Sequence, residues 1–302
     1  MSPPRRRPFM KGPGDSQPGF PARLSVLSSM SGNGGKLRTM RITALLFAML
    51  AACSQQAAEA PANQAAEPVA PASPAPASKP FTVKEKNDLI EFDYSWSAEA
   101  AAVPELVARF RADFHKTKAD LISGAEEDKA SRAKDGFDFH QYSSTTTFET
   151  AGQSPRLLSL REDGWSYTGG AHGNGGTAAL LWDRANKKEI KVTDLFAEAA
   201  NLDRLLTQRW CDALNKAREE KLGEPVGGGG MFDDCPRLDE IAIVPTDKDK
   251  EGRFETLMLI ASPYVAGPYV EGSYEIELSV TPDLVAGLRN EFQPSFAAQG
   301  RQ

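Results

Sequence analysis

The stretch Trp-Ser-Tyr-Thr-Gly-Gly-Ala-His-Gly-Asn-Gly-Gly-Thr, residues 165–177, is the most informative part of this chain. An aromatic segment enters a cluster of glycines that holds one histidine, His172, and an apolar run over residues 178–182 follows. So many glycines at one bend indicate a backbone with positive φ or the close approach of another segment. The sequence therefore predicts two strands joined by a tight bend around His172.

Short runs of alternating apolar and polar residues on both sides of the bend are typical of half-buried β-strands. Glu162-Asp163-Gly164 predicts a hairpin turn before the bend, and the polar stretch at 183–186 predicts another after it. The strands are expected at residues 81–83, 89–96, 137–139, 142–148, 156–160, 165–167, 178–182, 189–192, 241–244, 254–260 and 274–280.

Three helices are expected among these strands. Apolar residues recur every three or four positions after Pro104, and the pattern predicts a helix that continues as a polar extension to Gly136. A second helix is expected from a cap at Thr193-Asp194 to Gly223, and a short last helix over residues 283–292. Paired strands with a few long helices predict an α+β fold, in which antiparallel sheets carry helices packed on one face.

Near the N-terminus a basic run at 36–41 and an apolar run at 42–50 lead to Leu-Ala-Ala-Cys, which ends at Cys53. This order of features resembles a bacterial lipoprotein precursor. These features predict a signal peptide over residues 40–52 that is too short to span a bilayer as a stable helix. The resemblance implies acylation of Cys53, so that the mature chain is anchored to a membrane by lipid.

The chain outside the predicted signal peptide divides into further regions. Residues 1–39 are expected to be disordered or untranslated, and residues 53–79 form an Ala/Pro-rich tether that cannot bury enough apolar surface to fold. Residues 297–302 are a tail. In lipoproteins of Gram-negative bacteria an aspartate after the acylated cysteine favours the inner membrane. Ser54 stands there, and we therefore expect the periplasmic side of the outer membrane.

Charge is distributed unevenly along the chain. The first 52 residues hold eight Lys or Arg and one Asp, a net charge of +7, and the whole chain carries −6. The remainder therefore carries −13. Phosphate binding needs a basic surface, so nucleic acid is not expected as a partner. An acidic body suits a basic partner, or simply serves solubility.

Cys211 and Cys235 are the two cysteines besides Cys53. An exported protein folds in an oxidising compartment, which predicts a disulfide between them. The alternative is a pair of free thiols, one of them buried in the second helix.

Three segments together carry a resemblance to known families. They are Tyr-Thr-Gly-Gly-Ala-His-Gly at 167–173, Ile-Lys-Val-Thr-Asp-Leu-Phe at 190–196, and Tyr-Val-Ala-Gly-Pro-Tyr-Val-Glu-Gly-Ser-Tyr-Glu-Ile at 264–276. They resemble a bacterial domain of unknown function that is found in the ectodomain of a lysozyme-sensing anti-sigma factor. A domain first noted outside the catalytic part of a peptidoglycan deacetylase often precedes it.

The resemblance implies two domains, the deacetylase-associated accessory domain over residues 80–152 and the anti-sigma-ectodomain-like domain over residues 153–296. It also implies an extracytoplasmic module that binds something in the cell envelope, which in the anti-sigma-factor relative is a lysozyme. This chain departs from that relative because the sequence predicts a lipid anchor, with neither a membrane-spanning helix nor a cytosolic sigma-binding segment. Signalling by that route is not expected.

No metal ion or cofactor is predicted. The histidines His115, His140 and His172 lack the spacing of a ligand pair such as H-E-x-x-H. Residues 173–178 match G-x-G-x-x-A, but a strand is expected to follow where a dinucleotide site needs a helix. Residues 247–252 imitate the first half of a calcium loop, but Met258 stands where a bidentate Glu is required, so a solvated hairpin turn is expected.

Five residues are candidates for ligand binding, because rings and polar groups beside glycines can form a recognition surface. The alternative for the tyrosines is core or cross-strand packing, and for His172 a structural hydrogen bond in a crowded turn. No residue is assigned a catalytic role. The candidates are Tyr167, His172, Asn174, Tyr264 and Tyr269.

Three functions remain open from the sequence. The first is a non-enzymatic envelope lipoprotein that binds a lysozyme-like protein or a peptidoglycan-type glycan. The second is a cell-wall polysaccharide-modifying enzyme, a deacetylase or hydrolase that uses His172 as acid or base, although its full catalytic signature is absent. The third is a structural role in the envelope.

Overall fold

The computed structural model of the protein describes residues 78–227 and 229–299, in which nine strands form two sheets. The predicted signal peptide, Cys53 and nearly all of the tether lie outside the described residues. The α+β class expected from the sequence is confirmed. No helix of the described part is long and apolar enough to cross a membrane.

Six strands form the larger sheet in chain order. Neighbours pair antiparallel except β2 and β3, which are parallel. A parallel pair needs a long crossover, and two helices, α1 (Ala98–Ala101) and α2 (Pro104–Asp135), supply it. The strands are β1 (Phe81–Lys86), β2 (Ile90–Trp96), β3 (Tyr142–Gln153), β4 (Leu157–Tyr167), β5 (Asn174–Asp183) and β6 (Lys188–Ile190).

The hairpin predicted at Glu162-Asp163-Gly164 is wrong, because β4 runs unbroken through it. Asp163 finds one partner on the neighbouring strand and one on its own strand instead of making a turn. Asp163 accepts hydrogen bonds from the Thr177 hydroxyl on β5 at 2.6 Å and from Arg161 at 2.7 Å. The strand predicted at residues 137–139 is also absent, and that segment links α2 to β3 without regular structure.

Helix α2 packs on one face of the larger sheet. It begins at Pro104 and ends at Gly136, whose φ of 76° closes the helix in the left-handed region, as its sequence predicted. Its apolar side meets an aromatic core, in which the rings of Phe110 and Phe148 stack with centroids 4.0 Å apart. The helix is thus held by the sheet rather than by its largely polar outer surface.

The smaller sheet is antiparallel and carries helix α3 (Ala200–Leu222). The predicted cap at Thr193-Asp194 does not start this helix; it lies in a separate 3₁₀ turn, Val192–Leu195. The last helix, α4 (Pro282–Gly287), is shorter than predicted because the backbone becomes extended at Leu288. The strands are β7 (Ala242–Thr246), β8 (Thr256–Ala261) and β9 (Tyr274–Ser279).

The two sheets meet around β4, β5 and β7, so the central strands are buried on both faces. Leu158 and Leu160 face the core of α2, whereas Leu157 and Leu181 face the core that α3 shares with the smaller sheet. The boundary expected between residues 152 and 153 falls at the end of β3, inside the larger sheet. This packing brings the loop after β8 next to the glycine bend.

Two features of the smaller sheet bear on the sequence predictions. The disulfide between Cys211 on α3 and Cys235 is confirmed, with Cα atoms 5.6 Å apart. The turn at 247–255 is the β7–β8 hairpin loop, as expected, but Asp247 at its start is buried rather than solvated. Its backbone N–H donates to the Ala151 carbonyl at 3.1 Å, which places it under the larger sheet.

Candidate functional site

The glycine bend joins the end of β4 to the start of β5 through residues 168–173. Gly169 has a φ of 85°, the left-handed conformation that the sequence predicted for this cluster. Its carbonyl accepts a hydrogen bond from Arg132 at 3.3 Å, so the end of α2 holds one side of the bend.

The other glycines of the bend allow an indole to lie flat along the backbone. A Cβ on Gly173 would lie 2.1 Å from Trp165 Cζ2, and one on Gly175 would lie 3.1 Å from Trp165 Cδ1. These distances leave no room for a larger residue at Gly173. The close approach expected from the sequence is therefore made by Trp165, whose side of the ring away from the bend stays exposed, with 41% of the residue accessible.

An aromatic cluster stands beside this indole, where the loop at 262–273 meets the bend. The ring of His172 stacks on Tyr269 with centroids 4.0 Å apart and an interplanar angle of 20°. Tyr264 lies 5.6 Å from Tyr269, and its hydroxyl is 3.3 Å from His172 Nε2. We call Trp165, His172, Tyr264 and Tyr269 the aromatic face.

Tyr264 is presented by an unfavourable backbone conformation. Its φ is 71°, a region that side chains with a Cβ seldom adopt, and half of the residue is exposed. Hydrogen bonds from Tyr264 N–H to the Gly267 carbonyl at 3.0 Å and from Val265 N–H to the Ser262 carbonyl at 3.0 Å hold the turn. Strain of this kind persists where surrounding structure enforces it, and it clusters at binding sites.

Two residues of the aromatic face, Trp165 and Tyr269, line an open groove of about 430 Å³. Its polar wall centres on Arg161, which donates to both carboxylate oxygens of Glu275 at 2.7 and 2.8 Å and also to Asp163. The hydrogen bonds with Glu275 raise the pKa of Arg161 above its usual range. The fork joins β4 of one sheet to β9 of the other and fixes the groove floor. The groove is also lined by Trp165, Gly175, Thr177, Tyr269, Val270 and Glu271.

A second set of contacts supports the loop from below. The hydroxyl of Tyr274 donates to the Glu271 carboxylate, and Lys221 lies 4.1 Å above the Tyr274 ring. Burial, together with the hydrogen bond to Glu271, raises the pKa of Tyr274 to about 12. Lys221 also donates to the Glu271 carbonyl at 2.6 Å. These contacts fix the position of Glu271 at the groove edge.

The structure brings three of the five predicted residues together: His172, Tyr264 and Tyr269. Asn174 is exposed at the start of β5, and its side chain accepts from the Gly175 N–H at 3.1 Å. Tyr167, the last residue of β4, forms no ring stack or hydrogen bond with His172 in the described part of the chain.

Sequence reasoning did not assign Trp165, Arg161, Glu275 or the strongly exposed Val270 to the site. The signal for Trp165 was present, since it precedes the glycines it rests on by eight and ten residues across one hairpin. The Arg161–Glu275 fork spans 114 positions and left no local signal.

The chemistry available at His172 is limited by its partners. Its Nδ1 lies 2.8 Å from the Gly173 carbonyl oxygen and its Nε2 faces the Tyr264 hydroxyl. Within the described residues no carboxylate is hydrogen-bonded to the ring. No group of three potential metal ligands in that same part of the chain includes a histidine.

Comparison with known proteins finds similarity over part of the chain. Residues 83–175 match the model of the family described as Deacetylase PdaC, a match that includes the glycine bend. A DUF3298 family protein from Pseudomonas aeruginosa is 15% identical with a TM-score of 0.44, and the alignment covers 76% of this chain and 99% of that one. A DUF3298 member from Bacteroides fragilis is 17% identical with a TM-score of 0.44, covering 72% and 95%.

No curated protein is similar enough to match this chain. Similarity to the family described as Deacetylase PdaC is thus shown for residues 83–175, and the two solved structures named above are described as DUF3298 family proteins. The assignment as a lipoprotein and the relation to an anti-sigma factor stay predictions.

Proposed function

We propose that this protein is a non-enzymatic, lipid-anchored component of the cell envelope that binds a peptidoglycan-type glycan through the aromatic face. The observation that carries the proposal is the placement of Trp165 and Tyr269 on the wall of an open groove, with the exposed ring of His172 stacked on Tyr269. Rings with one apolar surface and polar edges suit the apolar faces of sugar rings, which are ringed by hydroxyl groups.

The polar wall of the groove supplies the complement to the rings. Arg161, Asp163 and Glu271 present charged donors and acceptors that sugar hydroxyls and amides can share. A few fixed polar groups beside an apolar surface orient a ligand without making covalent chemistry with it. Arg161 is held on both sides by carboxylates, so it enters the groove already oriented.

Binding is favoured over catalysis because of what surrounds His172. A carbonyl and a phenol are its hydrogen-bond partners, and its ring is occupied in stacking on Tyr269. The arrangement therefore supports recognition of a ligand.

Co-sedimentation with purified peptidoglycan sacculi tests the proposal. We expect the wild-type protein to pellet with sacculi, and Trp165→Ala or Tyr269→Ala to weaken binding about tenfold or more, as for central aromatic anchors of other interfaces. Phe137→Ala is the matched control, because Phe137 is an exposed aromatic that does not line the groove. Wild-type protein that stays in the supernatant at all sacculus concentrations contradicts the proposal.

A basic, lysozyme-like protein is a second candidate ligand, favoured by the net charge of −13 from Cys53 onward. Opposite net charge accelerates association and makes it depend on salt. Surface plasmon resonance with lysozyme distinguishes a specific complex from electrostatic adsorption. A specific complex is weakened by Trp165→Ala. Purely electrostatic adsorption disappears in about 0.5 M NaCl and is unchanged by the substitution.

The cellular setting has its own test. We expect metabolic labelling with a fatty-acid analogue to mark the full chain and Cys53→Ser to remove both the label and the membrane association. Separation of inner and outer membranes then places the labelled protein. Wild-type protein that is unlabelled and recovered in the cytosol contradicts the anchor.

A further inference from the structure

The loop between β7 and β8 brings three carboxylates to one place. It reads Asp-Lys-Asp-Lys-Glu-Gly-Arg-Phe-Glu over residues 247–255. One oxygen each from Asp247, Asp249 and Glu255 lies within 4.8 Å of the others. This loop does not match the calcium-loop sequence pattern, because the last acid of that pattern would fall at Met258, which lies within β8. Because the chain turns back in a hairpin, Glu255 comes close to the start of the loop: its N–H donates to the carbonyl of Thr246, the residue before Asp247, at 3.2 Å.

Two of these carboxylates are buried and only half satisfied. Asp247 is 8% exposed and Glu255 is 6% exposed. Asp247 Oδ2 accepts from Gly252 N–H at 3.1 Å and Glu255 Oε1 from Lys248 N–H at 2.6 Å. Their second oxygens, Asp247 Oδ1 and Glu255 Oε2, are buried and accept no hydrogen bond from any described residue. Such atoms cost free energy unless a positive group meets them.

The described part of the chain does not supply that positive group. No Lys or Arg of the described residues lies within ion-pair distance of Asp247, Asp249 or Glu255. Lys248, the nearest cation in sequence, is directed to Glu277 on β9 instead. Asp249, the exposed member, has Oδ1 occupied by Glu251 N–H at 3.0 Å. Three negative groups thus converge without a protein cation.

We propose that the β7–β8 loop binds one calcium ion through Asp247, Asp249 and Glu255. Two oxygens bound to one Ca²⁺ at about 2.3–2.6 Å can lie up to about 5 Å apart, in agreement with the observed grouping. Three carboxylates supply between three and six of the six to eight oxygens that calcium takes. Gly252, with a φ of 81°, allows the sharp turn that wraps such a loop around an ion.

The position of the loop gives the ion a structural role. Asp247 N–H bonds the Ala151 carbonyl, and a Cβ on Gly152 would lie 2.5 Å from that same nitrogen. The loop is therefore packed directly on the end of β3, where the register of β3 and β4 shifts between Thr150 and Gly152. Calcium bound here ties the smaller sheet to the larger one and stabilises both.

Calorimetric titration and thermal unfolding of the full chain, after treatment with a chelator, test the site. We expect one Ca²⁺ per chain with a Kd of about 10⁻⁴ to 10⁻³ M and, in 10 mM CaCl₂, a rise in Tm of roughly 3 to 10 °C. Asp247→Asn and Glu255→Gln should abolish the rise in Tm. Asp88→Asn and Glu224→Gln are matched controls, because both carboxylates are exposed and distant in sequence from the loop.

Asp249→Asn tests the site even if the variants of the buried carboxylates do not fold, because Asp249 is exposed. This substitution should weaken Ca²⁺ binding at least tenfold while the protein stays folded. Wild-type protein that binds no Ca²⁺ up to 10 mM overturns the proposal. So does Ca²⁺ binding that is equally tight in the Asp249→Asn variant, or a Tm that rises as much in NaCl of equal ionic strength. The test is independent of glycan binding, because the loop does not line the groove.

Discussion

The indole of Trp165 lies against the backbone of Gly173, so closely that a Cβ on Gly173 would be 2.1 Å from Trp165 Cζ2. This contact explains why the bend needs glycine at a position with no positive φ. It also fixes one ring of the aromatic face, which lines the groove. The glycine at position 173 is therefore needed to place a ring that the proposed function uses.

Gly173→Ala should displace the indole and destabilise the protein. We expect a loss of roughly 1–3 kcal/mol in the free energy of unfolding, because the indole is packed against backbone that cannot move freely. Urea denaturation measures the loss, and glycan binding should fall with it. Gly170→Ala is the control: its nearest neighbour is 3.9 Å away, so it should change stability little. Equal effects from the two substitutions would contradict the packing argument.

The positive φ of Tyr264 leads to a prediction about glycine and alanine. Both Tyr264→Gly and Tyr264→Ala remove the ring, but alanine alone keeps the strained Cβ. We expect the glycine variant to be more stable by roughly 1 kcal/mol in urea denaturation. The same pair at Tyr269, which lies in a 3₁₀ turn, should show the opposite order. An alanine variant as stable as the glycine variant at position 264 would rule out backbone strain there.

Tyr274 should make stability depend on pH at the alkaline end. Its pKa is raised to about 12 in the folded protein, against about 10 in the unfolded chain. The contribution is complete below pH 10 and disappears as the pH rises through 12, since the unfolded chain ionises first. We expect a decrease of about 2 kcal/mol over this window, measured as the difference between wild type and Tyr274→Phe. Parallel pH profiles for the two proteins would refute the assignment.

The disulfide should contribute substantially to stability. It closes a loop with a separation of 24 residues, for which loop-closure entropy predicts about 3 kcal/mol. Cys211→Ser with Cys235→Ser should lower the free energy of unfolding by about this amount in non-reducing buffer. Dithiothreitol should lower that of the wild type similarly and leave the double variant unchanged. Detection of two free thiols by alkylation and mass spectrometry of the native protein would contradict the bridge.

Several local features could be predicted because their physics is local. The start of α2 at Pro104 and its end at Gly136 follow from the properties of proline and glycine. The strand after the bend, which excludes a dinucleotide site, follows from its apolar run. The sequence did not predict that β4 continues through Gly164. The hydrogen bonds of Asp163 with Arg161 and with Thr177 on β5 hold the strand there, and the turn-forming residues themselves do not indicate them.

The sequence predicted the candidate site only in part, because contacts between distant segments form it. His172, Tyr264 and Tyr269 were chosen as rings and polar groups near glycines, and the fold does bring them together. Their juxtaposition depends on packing between segments about 92 positions apart. Tyr167 is near His172 in sequence, yet it makes no ring stack or hydrogen bond with it among the described residues.

The amino-acid sequence alone determined the α+β class, both ends of α2, the end of α3 at Gly223 and the pairing of two cysteines, because periodicity, end signals and redox setting act over short distances or whole compositions. Only the tertiary structure decided that Trp165 packs on Gly173, that Arg161 hydrogen-bonds Glu275, and that the buried carboxylates of Asp247 and Glu255 lie close together. The free energy of such contacts depends on burial and distance between segments, and neither can be obtained until the two sheets have packed together.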